Sequence, residues 1–514
     1  MAKLYESQGK ELLRRAGVAV PPGATARTPA EAHAAAATLA GPVVVKAQLF
    51  ITGRAAAGGI KFAATPEEAG ALAAEMLGHD LKGQRCDVVL VEARLDIARE
   101  MYAGVVLDND ARRPLLIFAS RGGSGVEDIA RDHPEAISRL HLDPARGLAP
   151  YEARDLVRRA GLKGGDLVAV ADVLGKLWRL ARDAEARAAE INPLVLTAEG
   201  NAVAADCRVT VDDYAVYRHP ELGIEVAREF GRPPTPLDLI AYNVEKGDYR
   251  GTFFFVRLAE GFTRADRYVG FRGAGGGGSM MAMDAAMAEG FKVANFCDTS
   301  GNPPASKVYR AARIILAQAN LVGFFGSGSG VASQEQFHSA RGLVKAFREV
   351  GLNIPCVERL GGNQEERAIQ ILTEYTKDLP APVEAYGKDT PARACAARLR
   401  ELVDGYDYAK KVKRPAPPSH DSSYSFATVT GGTVSFDYAR CEGCESKVCV
   451  ADCVPQILKL EGGRPVLNVK PEEAKKGKCS ECLACEVECR ARGNGGGRIT
   501  LPIPGLDDFL KGGA

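Results

Sequence analysis

No apolar run in these 514 residues reaches the ~18 needed to cross a bilayer. Residues 1–20 lack the basic-then-apolar order of a secretion signal. A cytoplasmic protein is therefore expected. Excess charge is missing too: 66 basic residues face 65 acidic ones, for a formal net charge of +1. That balance gives no reason to expect nucleic acid or an anionic membrane surface as a partner. The Gly-x-x-x-x-Gly-Lys-Ser/Thr phosphate loop is also lacking, so a bound nucleotide must be held by another scheme.

What is present is an ordinary globular composition, 25% charged and 46% hydrophobic. At ~150 residues per domain the length suggests three units. The cysteines are not ordinary. There are thirteen, and eight of them crowd between Cys441 and Cys489. In a cytosolic chain such crowding points to metal rather than to disulfides.

Residues 1–235 alternate helix and strand signals. Thr28-Pro29-Ala30-Glu31 and Thr65-Pro66-Glu67-Glu68 are capping boxes, each opening an alanine-rich helix. Between them Val43-Val44-Val45-Lys46 reads as a strand, followed by the turn-prone Gly53–Gly59 and a strand at Ile60–Phe62. Lys46 before a glycine-bearing loop suits a triphosphate, and equally suits a surface lysine at a strand end. Further on, strands are expected at Ile191–Leu196 and Ala202–Asp206. Glu190, Asn192 and Asp206 then fall at or near strand ends. Their oxygens could converge on Mg²⁺, although acids and amides there are also common solvated turn residues.

Residues 238–403 read as a second α/β unit. Gly273, Gly275 and Gly278 satisfy Gly-x-Gly-x-x-Gly between a strand and a helix, and Asp298 follows twenty residues later. On this segment alone NAD or a flavin would be proposed. A second loop, Gly326-Ser327-Gly328-Ser329-Gly330, repeats the strand–loop–helix context. Two such turns side by side offer helix N-termini to a phosphate or carboxylate. Residues 404–432, rich in lysine, proline and serine, read as a linker. In residues 433–514, Cys441-x2-Cys444-x4-Cys449-x3-Cys453 precedes Cys479-x2-Cys482-x2-Cys485-x3-Cys489, with a hairpin expected over Gln456–Val469. Successive x2 spacings fit a cubane better than the separated pairs of a zinc ribbon.

The run Leu4–Gly223 resembles the β subunit of succinyl-CoA synthetase, the ATP-grasp half of the ADP-forming acid–CoA ligases. Leu4–Gly17, Val43–Phe62, Val91–Ala93, Asp96–Tyr102 and Glu190–Asp206 carry the likeness. It continues through Ala294–Phe296, Asp298 and Arg359–Asn363. The fold it implies is an ATP-grasp domain followed by a flavodoxin-like CoA-ligase domain. The cysteine-rich end resembles a bacterial-type two-cluster ferredoxin, a small α+β domain.

The resemblance implies that Lys46, Gly53, Arg54, Glu92 and Glu100 bind ATP and that Asn192 and Asp206 hold Mg²⁺. Glu190 would face a phosphohistidine on an α-type partner, which would also bind most of the CoA. Loop residues Arg272, Gly273, Gly275, Gly326, Ser327 and Gly328 would receive the phosphohistidine loop and a small carboxylic acid. Ferredoxin pairing would put one [4Fe–4S] cluster on Cys441, Cys444, Cys449 and Cys489. The other would lie on Cys453, Cys479, Cys482 and Cys485, with a redox protein as a further partner. Some positions depart from the family. Ala55-Ala56 follow Gly53-Arg54 where Gly-Lys is usual, and Arg272, replacing an asparagine, would favour an anionic substrate group. None of the seven histidines lies in a comparable glycine-rich loop, so turnover is expected only with the partner. Two other readings stand beside this one: an NAD- or flavin-dependent iron–sulfur oxidoreductase, and a scaffold with a decayed ATP-grasp.

Overall fold

The computed structural model of the chain describes residues 2–51, 53–122, 126–228, 232–328, 330, 332–409 and 419–512. The chain divides into two units, Met1–Pro234 and Thr235–Ala514.

Two larger sheets and a short hairpin, Asp80–Leu81 with Gln84–Arg85, build the first unit. Gly23–Ala26, Val89–Ala93, Val43–Ala47 and Ile60–Ala63 lie in that order as an antiparallel sheet. Helices Pro29–Ala37 and Pro66–Met76 close its core through Ala32, Ala36, Ala69 and Ala73. Both expected caps form. Thr28 and Thr65 accept the N–H groups of Glu31 and Glu68 at 3.2 and 3.3 Å. The two glutamates reach one residue further back than a capping box requires, to the N–H groups of Arg27 and Ala64.

The second sheet runs Ala2–Lys3, Cys207–Val211, Ala186–Thr197, Ile97–Asp108, Arg113–Ala119, Ile137–His141. Strand Ala186–Thr197 is longer than its sequence suggested. Its first half pairs with Cys207–Val211 and its second half with Ala202–Ala204. The change of partner falls at Asn192-Pro193, because Pro193 has no N–H to give the ladder. There the register against Ile97–Asp108 also shifts, as at a bulge. Ala205-Asp206 interrupt the facing chain, so Asp206 leaves the strand in which it was expected.

In the second unit Phe254–Arg257, Asn295–Asp298, Tyr268–Ala274, Gly323–Gly328, Cys356–Arg359 and Val383–Tyr386 form one sheet in that order. The last five are parallel, and their sequence order across the sheet is 2-1-3-4-5, the flavodoxin-like order. Side chains alternate between the two faces. Phe324 joins a core with helices Ala305–Ile315 and Phe337–Val350, whereas Phe325 joins one with Gly276–Ala288 and Ala392–Asp404. The chain order reverses between Tyr268–Ala274 and Gly323–Gly328. Both glycine loops leave the carboxyl ends of these two strands, where such folds bind ligands.

Of the stretch read as a linker, residues 410–418 lie outside the described residues. Tyr424–Ala427 within it is a strand, paired with Thr433–Phe436, which in turn pairs with Gly497–Thr500. The expected hairpin is present as Leu458–Glu461 and Arg464–Leu467, turning at Gly462-Gly463. This cysteine-bearing module is fastened to the preceding helices by buried charge. Arg341 on Phe337–Val350 donates twice to Glu488 on Ala484–Arg492, at 2.7 and 2.9 Å, and both side chains are 1% exposed. Lys345 binds Glu486 at 2.8 Å, and the Tyr375 hydroxyl donates to the other oxygen of Glu488. The two modules also share one continuous apolar core.

Candidate active site and cysteine centres

In the first unit, six charged side chains gather between the two sheets. Lys46 is 6% exposed and binds Glu6 at 3.0 Å, Glu92 at 2.5 Å and the Ala205 carbonyl at 2.7 Å. Lys10 repeats the pattern, reaching Glu6 at 2.8 Å, Glu92 at 2.5 Å and the same carbonyl at 2.8 Å. Arg54 bridges Glu6 at 2.6 Å and Asp206 at 2.7 Å. Three cations thus meet three carboxylates. Burial works to raise the Glu6 carboxyl, but Lys46, Lys10 and Arg54 outweigh it and hold the group well below the usual carboxylate range. Burial and the neighbouring Glu6 push the Asp206 carboxyl up against the pull of Arg54 and Lys46.

Local backbone explains the convergence. The Asn192 N–H donates to the Asp206 carbonyl at 3.2 Å, and the Ala205 N–H to Pro193 O at 3.1 Å. The break in the ladder therefore sets the backbone of Asn192 beside that of Asp206. Gly53 takes φ +68°, a left-handed conformation that glycine tolerates best, and the Gly59 N–H closes the turn onto Arg54 O at 2.8 Å. Glu100 is not part of the cluster. It pairs in register with Val195 and lines a different cavity with Arg99, Ser120 and Arg121. Glu190 sits in the strand ladder between Gly104 and Arg208. Glu6 and Lys10 escaped sequence reasoning, since an i, i+4 Glu–Lys pair on a helix usually decorates a solvated face.

In the second unit the glycines of both loops have steric reasons. A Cβ on Gly273 would lie 2.0 Å from the Ser279 hydroxyl, and one on Gly326 would lie 1.9 Å from Glu358. Gly275 begins helix Gly276–Ala288 at φ +91°, and its N–H donates to Asp298. Asp298 also accepts the Ser300 N–H at 2.9 Å, so the carboxylate that a dinucleotide would need at its ribose braces a turn instead. Gly328 O is held by Arg359 at 2.8 Å, and Ser327 is buried. Ser329 lies outside the described residues.

One expectation for this loop is corrected. Arg272 does not present a cation to substrate. It is 1% exposed and spends its guanidinium on the fully buried Glu358, at 2.7 and 3.2 Å, with Thr299 at 3.4 Å. A buried guanidinium without a carboxylate partner would be very costly, and Glu358 supplies that partner from the neighbouring-but-one strand position. His338 lies in the first turn of helix Phe337–Val350 and is 6% exposed. Burial, then the cations Arg341 and Arg250, hold its imidazole down to about 4, so it stays neutral and enclosed at pH 7.

All eight clustered cysteines are buried and reduced. Among the described residues, no three His, Cys, Asp or Glu side chains are drawn together tightly enough for a single metal ion. Several of the thiols lie near enough to act on one another's ionisation. Burial and the thiols of Cys489, Cys441 and Cys444 push Cys449 up to about 12. Burial, then Cys482, Cys479 and Cys453, raise Cys485. Cys444 differs: burial opposes ionisation, yet Ser446 and the N–H groups of Lys447 and Asn494 lower its thiol. Glycines leave room beside the sulfurs. A Cβ on Gly496 would lie 2.9 Å from the Cys441 sulfur, and one on Gly493 3.5 Å from that of Cys444.

Together the two sheets with their buried lysine cluster and the 2-1-3-4-5 domain with paired glycine loops define an ATP-grasp ligase chain. An ATP-grasp domain family matches residues 3–196. The β subunit of the GDP-forming succinate–CoA ligase of Thermus thermophilus is 40% identical over 372 residues, 72% of this chain and 93% of that one. Its ADP-forming counterpart from Rubrobacter xylanophilus is 36% identical over 403 residues, covering 78% and 99%. An ATP citrate lyase structure from Methanothrix soehngenii, in complex with citrate and coenzyme A, shares the fold at TM-score 0.62. It is 21% identical and covers 78% of this chain and 99% of that one. The chain belongs to the succinate–CoA ligase β-subunit family, and so to the ADP-forming acid–CoA ligases.

Proposed function

We propose that this chain is the nucleotide-binding subunit of an acid–CoA ligase that works through a phosphohistidine on an α-type partner. The buried Lys46–Glu6–Arg54–Asp206 cluster carries this reading. Lys46 and Arg54 supply fixed positive charge for a triphosphate. Asn192 and Asp206 would hold Mg²⁺, which when bound neutralises phosphate charge. Catalysis here is positioning and charge compensation. Arg54 must release Asp206 for the carboxylate to become a metal ligand. The one histidine near the glycine loops, His338, is enclosed and neutral, so the phosphoryl carrier and most of the CoA site are assigned to the partner. The glycine loops at the reversal point of the sheet receive the histidine loop and a small carboxylic acid.

The cysteine module is assigned two [4Fe–4S] clusters, on Cys441, Cys444, Cys449 and Cys489 and on Cys453, Cys479, Cys482 and Cys485. The mutual crowding of the thiols within these sets supports the pairing. Bound clusters supply one-electron transfer, and a redox protein is their partner. The ion pairs of Arg341 and Lys345 hold the cluster-bearing helix on the ligase domain, so electron transfer and CoA chemistry share one body.

Incubating the chain and its α-type partner with γ-labelled ATP should label a histidine of the partner. No label on the partner sinks the ligase reading. Anaerobic reconstitution should give eight irons per chain and absorbance near 400 nm that dithionite bleaches. Stoichiometric zinc without iron sinks the cluster reading.

A further inference from the structure

Where helix Ala305–Ile315 meets the cysteine module, a cavity of about 230 Å³ remains, walled by Val244, Pro304, Pro502 and Pro504. No residue of either glycine loop lines it. Two polar side chains reach it from one helix face, Ser306 and Arg310, at i, i+4. Ser306 is 1% exposed, and its hydroxyl has no hydrogen-bond partner. A hydroxyl buried to that degree is normally satisfied.

Arg310 is 5% exposed and only partly satisfied. Its Nε donates to Pro502 O at 3.1 Å and its Nη2 to the Thr430 hydroxyl at 2.6 Å. Nη1 makes no hydrogen bond and stands 3.8 Å from Glu481. Glu481 is already engaged, accepting from the Thr428 hydroxyl at 2.6 Å and the Thr430 N–H at 3.1 Å. The other cation at the cavity, Lys307, is fully used by Asp248, Thr252 O and Arg250 O. One guanidinium edge and one hydroxyl therefore remain to be matched.

We infer that this cavity binds a small monocarboxylate, its two oxygens on Arg310 Nη1 and the Ser306 hydroxyl and its short apolar tail against the proline–valine wall. The charge of the lining selects against a dianion such as phosphate, because Asp248 and Glu481 already place two carboxylates beside the site. The volume suits an acid of a few carbons. The site adjoins the second cysteine set, since Tyr249 lines it and donates to the carbonyl of Ser480, next to Cys479. The binding does not depend on whether the thiols carry iron.

Calorimetric titration of the full chain with sodium butyrate should show a saturable site. Ser306→Ala, which removes only a hydroxyl, should weaken it about tenfold. Ser306→Phe, which fills the space, should abolish it. Inorganic phosphate should give no saturable heat. Absence of saturable butyrate binding overturns the inference, as does a titration left unchanged by Ser306→Phe or phosphate binding as tight as butyrate. In the iron-loaded chain, butyrate should also perturb the reduced-cluster electron paramagnetic resonance in wild type and not in Ser306→Phe. A chain with no such resonance under any reduction would fail the cluster reading and leave the calorimetric result standing.

Discussion

Arg54 and Asp206 are paired at 2.7 Å, guanidinium to carboxylate. The same guanidinium also binds Glu6 at 2.6 Å, so Arg54 can leave Asp206 without losing all compensation. The arrangement holds the cations and carboxylates of the cluster in mutual neutralisation.

Asp206→Asn should therefore lower the rate of partner phosphorylation about 100-fold, with most of the loss in the Mg²⁺ dependence. Arg54→Met should raise the KM for ATP while leaving Mg²⁺ binding to the free chain as tight or tighter. Steady-state kinetics across a Mg²⁺ series separates the two outcomes. Weaker Mg²⁺ binding in Arg54→Met would show that the guanidinium does not compete with the metal.

Glu6 compensates three cations at once. Glu6→Gln should destabilise the first unit by about 3–5 kcal/mol, the range for leaving buried charge without its partner. Urea unfolding monitored at the single tryptophan, Trp178, which is buried in that unit, reads the loss directly.

Acid should weaken the second unit through His338. Its folded pKa of about 4 lies below its ordinary 6.5, so the unfolded chain takes up the proton first. Stability contributed by the neutral ring is complete above pH 6.5 and falls as the pH drops towards 4. The full loss amounts to about 3 kcal/mol. Thermal melts from pH 7 to pH 4 should show this slope in wild type and a flatter one in His338→Gln.

The Arg341–Glu488 pair gives a test by double substitution. Arg341→Met alone should cost about 3–5 kcal/mol by stranding Glu488, whereas Arg341→Met with Glu488→Leu should recover most of it. Calorimetric melting of the four proteins of that cycle supplies the coupling.

Much of this was legible in sequence because it is local. Thr28 and Thr65 cap where their spacing says, the two glycine loops follow their strands, and the hairpin between the two cysteine motifs forms at Gly462-Gly463. What stayed hidden depends on partners far along the chain. Glu6 and Lys10 look like a surface pair until the helix meets Glu92 and Lys46. Arg272 looks like a substrate contact until Glu358 arrives 86 residues later. Asp206 was expected as the last residue of a strand, yet that strand ends at Ala204, and Asp206 turns toward Arg54 instead. The expected linker hid the strand Tyr424–Ala427, whose four residues show no alternation strong enough to read.

The charged seam between Phe337–Val350 and Ala484–Arg492 has a bearing on modularity. A chain cut before Tyr424 would not be a simpler ligase subunit with an accessory removed. It would bare Arg341 and Lys345, each built to meet a carboxylate of the lost segment, together with one side of a shared apolar core. The flavodoxin-like domain and the cysteine module are joined as parts of one folding unit, and neither can be deleted without unmaking the other's surface.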